Sequence, residues 1–226
     1  MAKRIALGEI LVFWLGPLAA AIPLMLTVMT ESTGAQAKTD FVSLEKDIAR
    51  EVNLARSDPS RYAGFVEQWQ TFYRGRRIER PGKLTVLTEE GVAAVEEAII
   101  FLRSIGRRPT LRVSPGMSRG AKDHAQQLGA AGALGHKGLY GSWPTDRVSR
   151  YGRWRDAMGE NVFYGRGTAR EIVMLLIVDD GIPGRDHRRT TFDPAYGVIG
   201  VGCAPHVTYH TICVLTFAGG YTEAKM

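Results

Sequence analysis

One uncharged stretch divides this chain into two unequal parts. Ile10–Met29 carries no charged side chain over 20 positions, which is long enough for a helix to cross the hydrocarbon core of a bilayer. A short basic segment precedes it, and Ala35-Gln36-Ala37 follows it with the small-residue pattern of a signal-peptidase site. We therefore expect residues 1–37 to engage the membrane during export, as a cleaved signal or alternatively as an uncleaved anchor. The remaining chain, 38–226, would then be secreted, periplasmic or held at the membrane by that anchor.

The charge of the chain favours acidic partners outside the cell over nucleic acid. The formal net charge is +6, which suits the anionic lipids and polymers of a cell envelope. Arg74–Arg77 and Arg185–Arg189 are the tightest basic groups, and only Tyr73 adjoins them as an aromatic that could stack on a base. We expect no nucleic-acid partner.

The pattern of apolar residues predicts helices and strands in one α+β domain. Helical spacing and capping residues predict five main helices, and two β-branched runs predict an antiparallel hairpin. Such a mixture favours an α+β fold or an α-β-α sandwich. The helices are expected at Leu44–Ala55, from Pro59 to about Tyr73, at 89–103 after a Thr88 cap, from Pro115 after a Ser114 cap, and from Ala169 after a Thr168–Glu171 capping box; the strands are Gly197–Cys203 and Thr211–Ala218.

Two histidines and one glutamate stand out as candidates for chemistry. His136 and His187 have glycines close by, and Glu160 lies between them in the segment Gly159-Glu160-Asn161. Neutral imidazole nitrogens suit zinc or another divalent cation, and a nearby carboxylate can act as a base. The two histidines are 51 positions apart and match no compact zinc motif, so loop histidines held by backbone hydrogen bonds remain an alternative.

The order of these segments resembles that of the CAP superfamily, which includes cysteine-rich secretory, antigen 5 and pathogenesis-related proteins. A histidine-bearing helix is followed by Gly135-His136, by Gly159-Glu160-Asn161, by a capped helix, by His187 and by two closing strands. The chain is most similar to the bacterial SCP-like extracellular branch. The resemblance covers about 44–62 and 110–221, which marks 64–108 as a helical insertion.

The resemblance implies an α-β-α sandwich with a central antiparallel sheet flanked by helices. It also implies a large cleft that carries two histidines and two acidic residues. By position the histidines are His136 and His187, which would hold the metal, and the first acid is Glu160. The family places its second acid three residues after a tryptophan, where this chain has leucine or isoleucine. Asp179 and Asp180 are therefore the candidates for the second cleft acid.

The other histidines and the two cysteines are expected to be structural. His124 lies on an amphipathic helix and is expected to be buried, whereas His206 and His210 flank the hairpin tip and are expected to be solvated. Cys203 and Cys213 lie opposite each other if the turn centres near residue 208, so an oxidising compartment favours a disulfide between them.

Three functions remain open at this point. The first is a binding protein whose cleft holds a divalent cation, and with it a lipid, glycan or other cell-envelope ligand, without turnover. The second is a metal-assisted hydrolase of envelope polymers or peptides in which Glu160 is the base. The third is an interaction module that binds through its basic surface. We favour binding, because no independent nucleophile is evident.

Overall fold

Two layers of helices enclose a four-stranded sheet. The computed structural model describes residues 40–83 and 85–225, so the expected export segment lies outside the described residues. The helices in this part of the chain are α1 (Phe41–Ser57), α2 (Pro59–Gln70), α3 (Val92–Ser104), α4 (Pro115–Ala131), α5 (Pro144–Ser149), α6 (Ala169–Val178) and α7 (Asp186–Phe192). The strands are β1 (Tyr73–Arg74), β2 (Arg77–Ile78), β3 (Val86–Leu87), β4 (Arg112–Val113), β5 (Gly152–Tyr164), β6 (Val198–His206) and β7 (His210–Glu223).

The central sheet has the strand order β4-β6-β7-β5. The strands β6 and β7 form the predicted hairpin, and β5 pairs with β7 in the antiparallel sense along most of its length. The short strand β4 pairs in parallel with β6 and so departs from the purely antiparallel arrangement. Strand β5 therefore forms one edge of the sheet, with Glu160 in its second half.

Alternate residues of each strand pack against different helix layers, as the pleat of a sheet requires. Val201, Cys203 and Leu215 share one apolar core with α1, α2, α3 and α6. Ala204 and Val214 share another with α4. The α-β-α sandwich predicted from the sequence is confirmed.

Local capping signals located the starts of three helices. Ser114 caps α4, Asp58 caps α2 with Pro59 at its first position, and Thr168 forms a capping box with Glu171 at the start of α6. The prediction that Thr88 caps α3 is wrong. The helix begins at Val92, and its N-cap residue is Gly91, whose φ is 71°. The Thr88 hydroxyl instead donates to the carbonyl of Arg76.

The segment 64–108 contains strands as well as helices. Between α2 and α3 it forms a small antiparallel sheet of the order β1-β2-β3, so the insertion is not purely helical as expected. Tyr73 and Ile78 of this sheet are buried in the same core as α2 and α3. Two-residue strands carry too little periodicity to be recognised in a sequence.

A disulfide joins the two strands of the hairpin, as predicted. Cys203 and Cys213 face each other in the register of β6 and β7, with 4.1 Å between their Cα atoms. Among residues 40–83 and 85–225, no helix combines the length and apolar character needed to span a membrane.

Candidate functional site

The first predicted histidine contacts the predicted glutamate. His136 lies in the irregular segment after α4, and its Nδ1 is 3.0 Å from Oε1 of Glu160 on β5. The imidazole is 47% exposed, whereas the carboxylate is only 2% exposed. A carboxylate can only accept, so the ring donates from Nδ1, and the neutral tautomer that makes this bond has its lone pair on Nε2.

Arg147 completes this pair and was not anticipated from the sequence. Its Nη2 donates to Oε2 of Glu160 at 2.7 Å, and its Nη1 donates to the carbonyls of His136 and Ser142. Both partners of the ion pair are buried, so the charge of Glu160 is compensated inside the protein. An arginine on a six-residue helix carries no sequence signal that separates it from a surface residue.

The second predicted histidine, His187, contacts Asp179, one of the two candidate acids. His187 Nδ1 lies 2.6 Å from Asp179 Oδ1, and the His187 backbone N–H donates to Oδ2 of the same carboxylate. Asp179 is fully buried and the His187 side chain is 11% exposed. Asp180 points elsewhere and accepts from the backbone N–H groups of residues 89, 90 and 91. The Asp180 carboxylate thus ties the end of α6 to the turn before α3, whereas Asp179 is the acid that contacts His187.

The two histidine–carboxylate pairs are connected through the edge strand β5. Glu160 faces His136, and the next residue, Asn161, donates from Nδ2 to the backbone carbonyl of His187. The Asn161 amide therefore ties the backbone of His187 to the residue that follows Glu160 on β5. Within the part of the chain that the structure describes, no group of three or more His, Cys, Asp and Glu side chains is arranged to hold a metal ion.

Of the remaining histidines, His124 lies nearest the first pair, with its Nε2 4.0 Å from Oε1 of Glu160. His124 is buried as predicted, and its Nε2 lies 2.9 Å from the carbonyl of Gly135. His206 is also buried rather than solvated, because its ring packs against Tyr164 and Tyr209 and bonds to the carbonyl of Ala133. His210 is exposed, as expected for a residue at the hairpin turn.

The burial of His124 predicts a loss of stability in mild acid. Burial lowers the pKa of His124 below 6.5, against the opposing effect of Glu160. Below pH 6.5 the unfolded state therefore binds a proton that the native state does not, so the free energy of unfolding falls as the pH falls. We expect His124→Gln to remove up to about 1.4 kcal/mol per pH unit from this slope in urea unfolding between pH 5 and pH 7. An unchanged slope would contradict a neutral, buried His124.

The arrangement offers two imidazole Nε2 atoms as ligands. Each ring is oriented from behind by a buried carboxylate, the arrangement that commonly supports histidine ligands of zinc. No described residue hydrogen-bonds to Nε2 of His136 or His187. This donor chemistry fits a divalent cation such as zinc, whereas Glu160 is engaged through both of its oxygens.

Comparison with known proteins identifies one family and several distant structures. A family model described as the cysteine-rich secretory protein family (CAP) matches residues 102–217, about half of the chain. No curated protein sequence matches.

Three solved structures are similar to parts of this chain. An outer surface protein of Borrelia burgdorferi is 19% identical with a TM-score of 0.42, covering 56% of this chain and 89% of its own. An extracellular SCP-domain protein of Bacillus anthracis is 14% identical with a TM-score of 0.40, covering 56% and 37% of the two chains. A cysteine-rich secretory protein of Staphylococcus aureus is 13% identical with a TM-score of 0.37, covering 57% and 38%. The present chain thus spans less than two fifths of the last two proteins.

Proposed function

This chain belongs to the cysteine-rich secretory protein (CAP) family, and from that premise we propose that it is an exported binding protein whose His136 and His187 hold a divalent cation. Export is inferred from the uncharged N-terminal stretch and the Ala35-Gln36-Ala37 site that follows it. The ligand held with the cation would be a lipid, glycan or other cell-envelope component, in keeping with the net charge of +6.

One observation carries the metal proposal. Both imidazoles are oriented through Nδ1 by a buried carboxylate, Glu160 for His136 and Asp179 for His187. A ring with Nδ1 protonated and bonded in this way presents the lone pair of Nε2 to a cation. Two protein ligands leave coordination positions open, where an anionic group of an envelope ligand could bind.

Binding is favoured over hydrolysis by the surroundings of Glu160. A general base must accept a proton from water, yet each oxygen of Glu160 already accepts a hydrogen bond, one from His136 and one from Arg147. Taking up a proton would break the buried ion pair with Arg147. Glu160 therefore suits the orientation of His136 better than proton transfer.

Zinc titration of residues 38–226 by calorimetry tests this proposal. We expect one zinc ion to bind, and His136→Ala and His187→Ala each to weaken the affinity at least tenfold, since loss of a supporting residue alone costs that much at established sites. Glu160→Gln is expected to weaken zinc binding less than His136→Ala.

His210→Ala is the matched control, because His210 is exposed and bonded to Arg166 away from both pairs. Its zinc affinity should equal that of the unaltered protein. Failure of the unaltered protein to bind zinc, or zinc affinity that survives both His136→Ala and His187→Ala, would overturn the proposal.

A further inference from the structure

The loop between α6 and α7, residues 179–185, has a backbone that needs outside support. Asp179 and Arg185 both adopt left-handed conformations, with φ values of 54° and 53°. A residue with a Cβ pays about 1–2 kcal/mol for that conformation, so it persists only where other contacts hold it. His187 is the second residue after this loop, and its Nδ1 and backbone N–H both contact Asp179 at the start of the loop.

Most of that support comes from α3 and the turn before it. Arg185 donates from Nη1 and Nη2 to both oxygens of Glu90, from Nε to Glu97, and from Nη1 to the backbone carbonyl of Asp179. Arg185 therefore connects the residue that orients His187 to two carboxylates of a different segment.

Arg188 makes a second connection to the same carboxylate. Its Nη1 donates to Glu97 Oε1 at 2.9 Å, while its Nε and Nη2 donate to the last carbonyls of α6. Glu97 thus bridges Arg185 and Arg188, which lie on either side of His187 in the chain. Hydrogen bonding to Arg185 holds the pKa of Glu97 below its usual value, so Glu97 is ionised at neutral pH.

We propose that Glu97 is a positioning residue for His187, acting through Arg185 and Arg188 on the loop that carries Asp179. The family match begins at residue 102, so this support comes from a segment that the match does not include. The role of Glu97 in metal affinity rests on the proposed function. Its role in holding His187 against Asp179 does not, because that contact is made without a cation.

Glu97→Gln tests the proposal because it keeps the shape of the side chain and removes its charge. We expect the zinc dissociation constant to rise about tenfold, as for loss of other residues that support a metal ligand. Without zinc, we expect the backbone amides of residues 185–188 to exchange with solvent at least about tenfold faster, including His187, whose N–H donates to Asp179.

Glu67→Gln is the matched control. Glu67 on α2 forms an ion pair with Arg103 on α3, so this variant makes the same change of charge and also removes a link to α3. Its zinc affinity and the exchange of residues 185–188 should be unchanged. Glu97→Asp keeps the charge but shortens the reach, and an effect of the same direction as Glu97→Gln is expected.

The outcomes separate the two proposals. If the unaltered protein binds no zinc, the proposed function fails and amide exchange alone decides the role of Glu97. If Glu97→Gln leaves both the zinc affinity and the exchange of residues 185–188 unchanged, Glu97 is not a positioning residue. If exchange accelerates equally throughout α3, α6 and α7, Glu97 only stabilises the fold, and the proposal is equally overturned.

Discussion

Replacing Arg147 by methionine is expected to destabilise the protein by about 3–5 kcal/mol, because the change leaves the buried charge of Glu160 without its counter-ion. Methionine fills similar space, so the cost is electrostatic and is increased by the loss of hydrogen bonds to the carbonyls of His136 and Ser142. Urea unfolding at pH 7 measures the difference.

Two further variants isolate the charge pair. In Arg147→Met/Glu160→Gln no unpaired charge remains, so this double variant should recover at least about 2 kcal/mol of the loss. Arg150→Met is the matched control at the end of the same helix, where Arg150 pairs with Asp123 on the surface, and its effect should stay within about 0.5 kcal/mol. A single Arg147→Met variant as stable as the Arg150→Met control would show that Glu160 is not held by Arg147.

Gly202→Ala is expected to cost about 3 kcal/mol, at the upper end of overpacking effects. A Cβ added at Gly202 would lie 2.2 Å from the backbone nitrogen of Lys122 and 2.6 Å from the carbonyl carbon of Ala121. Both atoms belong to the backbone of α4, so the whole helix must move away from β6. Thermal and urea unfolding should both record the loss.

The same substitution at Gly64 is expected to have the opposite effect on stability. Gly64 lies inside α2, and a Cβ there would meet no atom within 4 Å. Alanine has the higher helix propensity, so this variant should gain about 0.5–1 kcal/mol. Equal stability changes for the two variants would contradict a direct contact between α4 and β6.

The candidate site could be located only in part from the sequence. His136, Glu160 and His187 were selected because their order matched a known family, and the structure gives each histidine a carboxylate partner. The choice between Asp179 and Asp180 could not be made, because the two are adjacent and only the left-handed turn at Asp179 directs one carboxylate towards His187. The burial of His206 was missed because aromatic neighbours from separate elements enclose its ring.

The sequence by itself determined the features that depend on residues close together in the chain. Capping residues placed the starts of α2, α4 and α6, and the two β-branched runs placed the hairpin with Cys203 opposite Cys213. Only the tertiary structure decided which charges meet: Arg147 with Glu160, and Glu97 with Arg185 and Arg188. These partners lie between 13 and 91 positions apart. A charged side chain carries no local preference for a distant partner, so the pairing emerges only when the helices pack on the sheet.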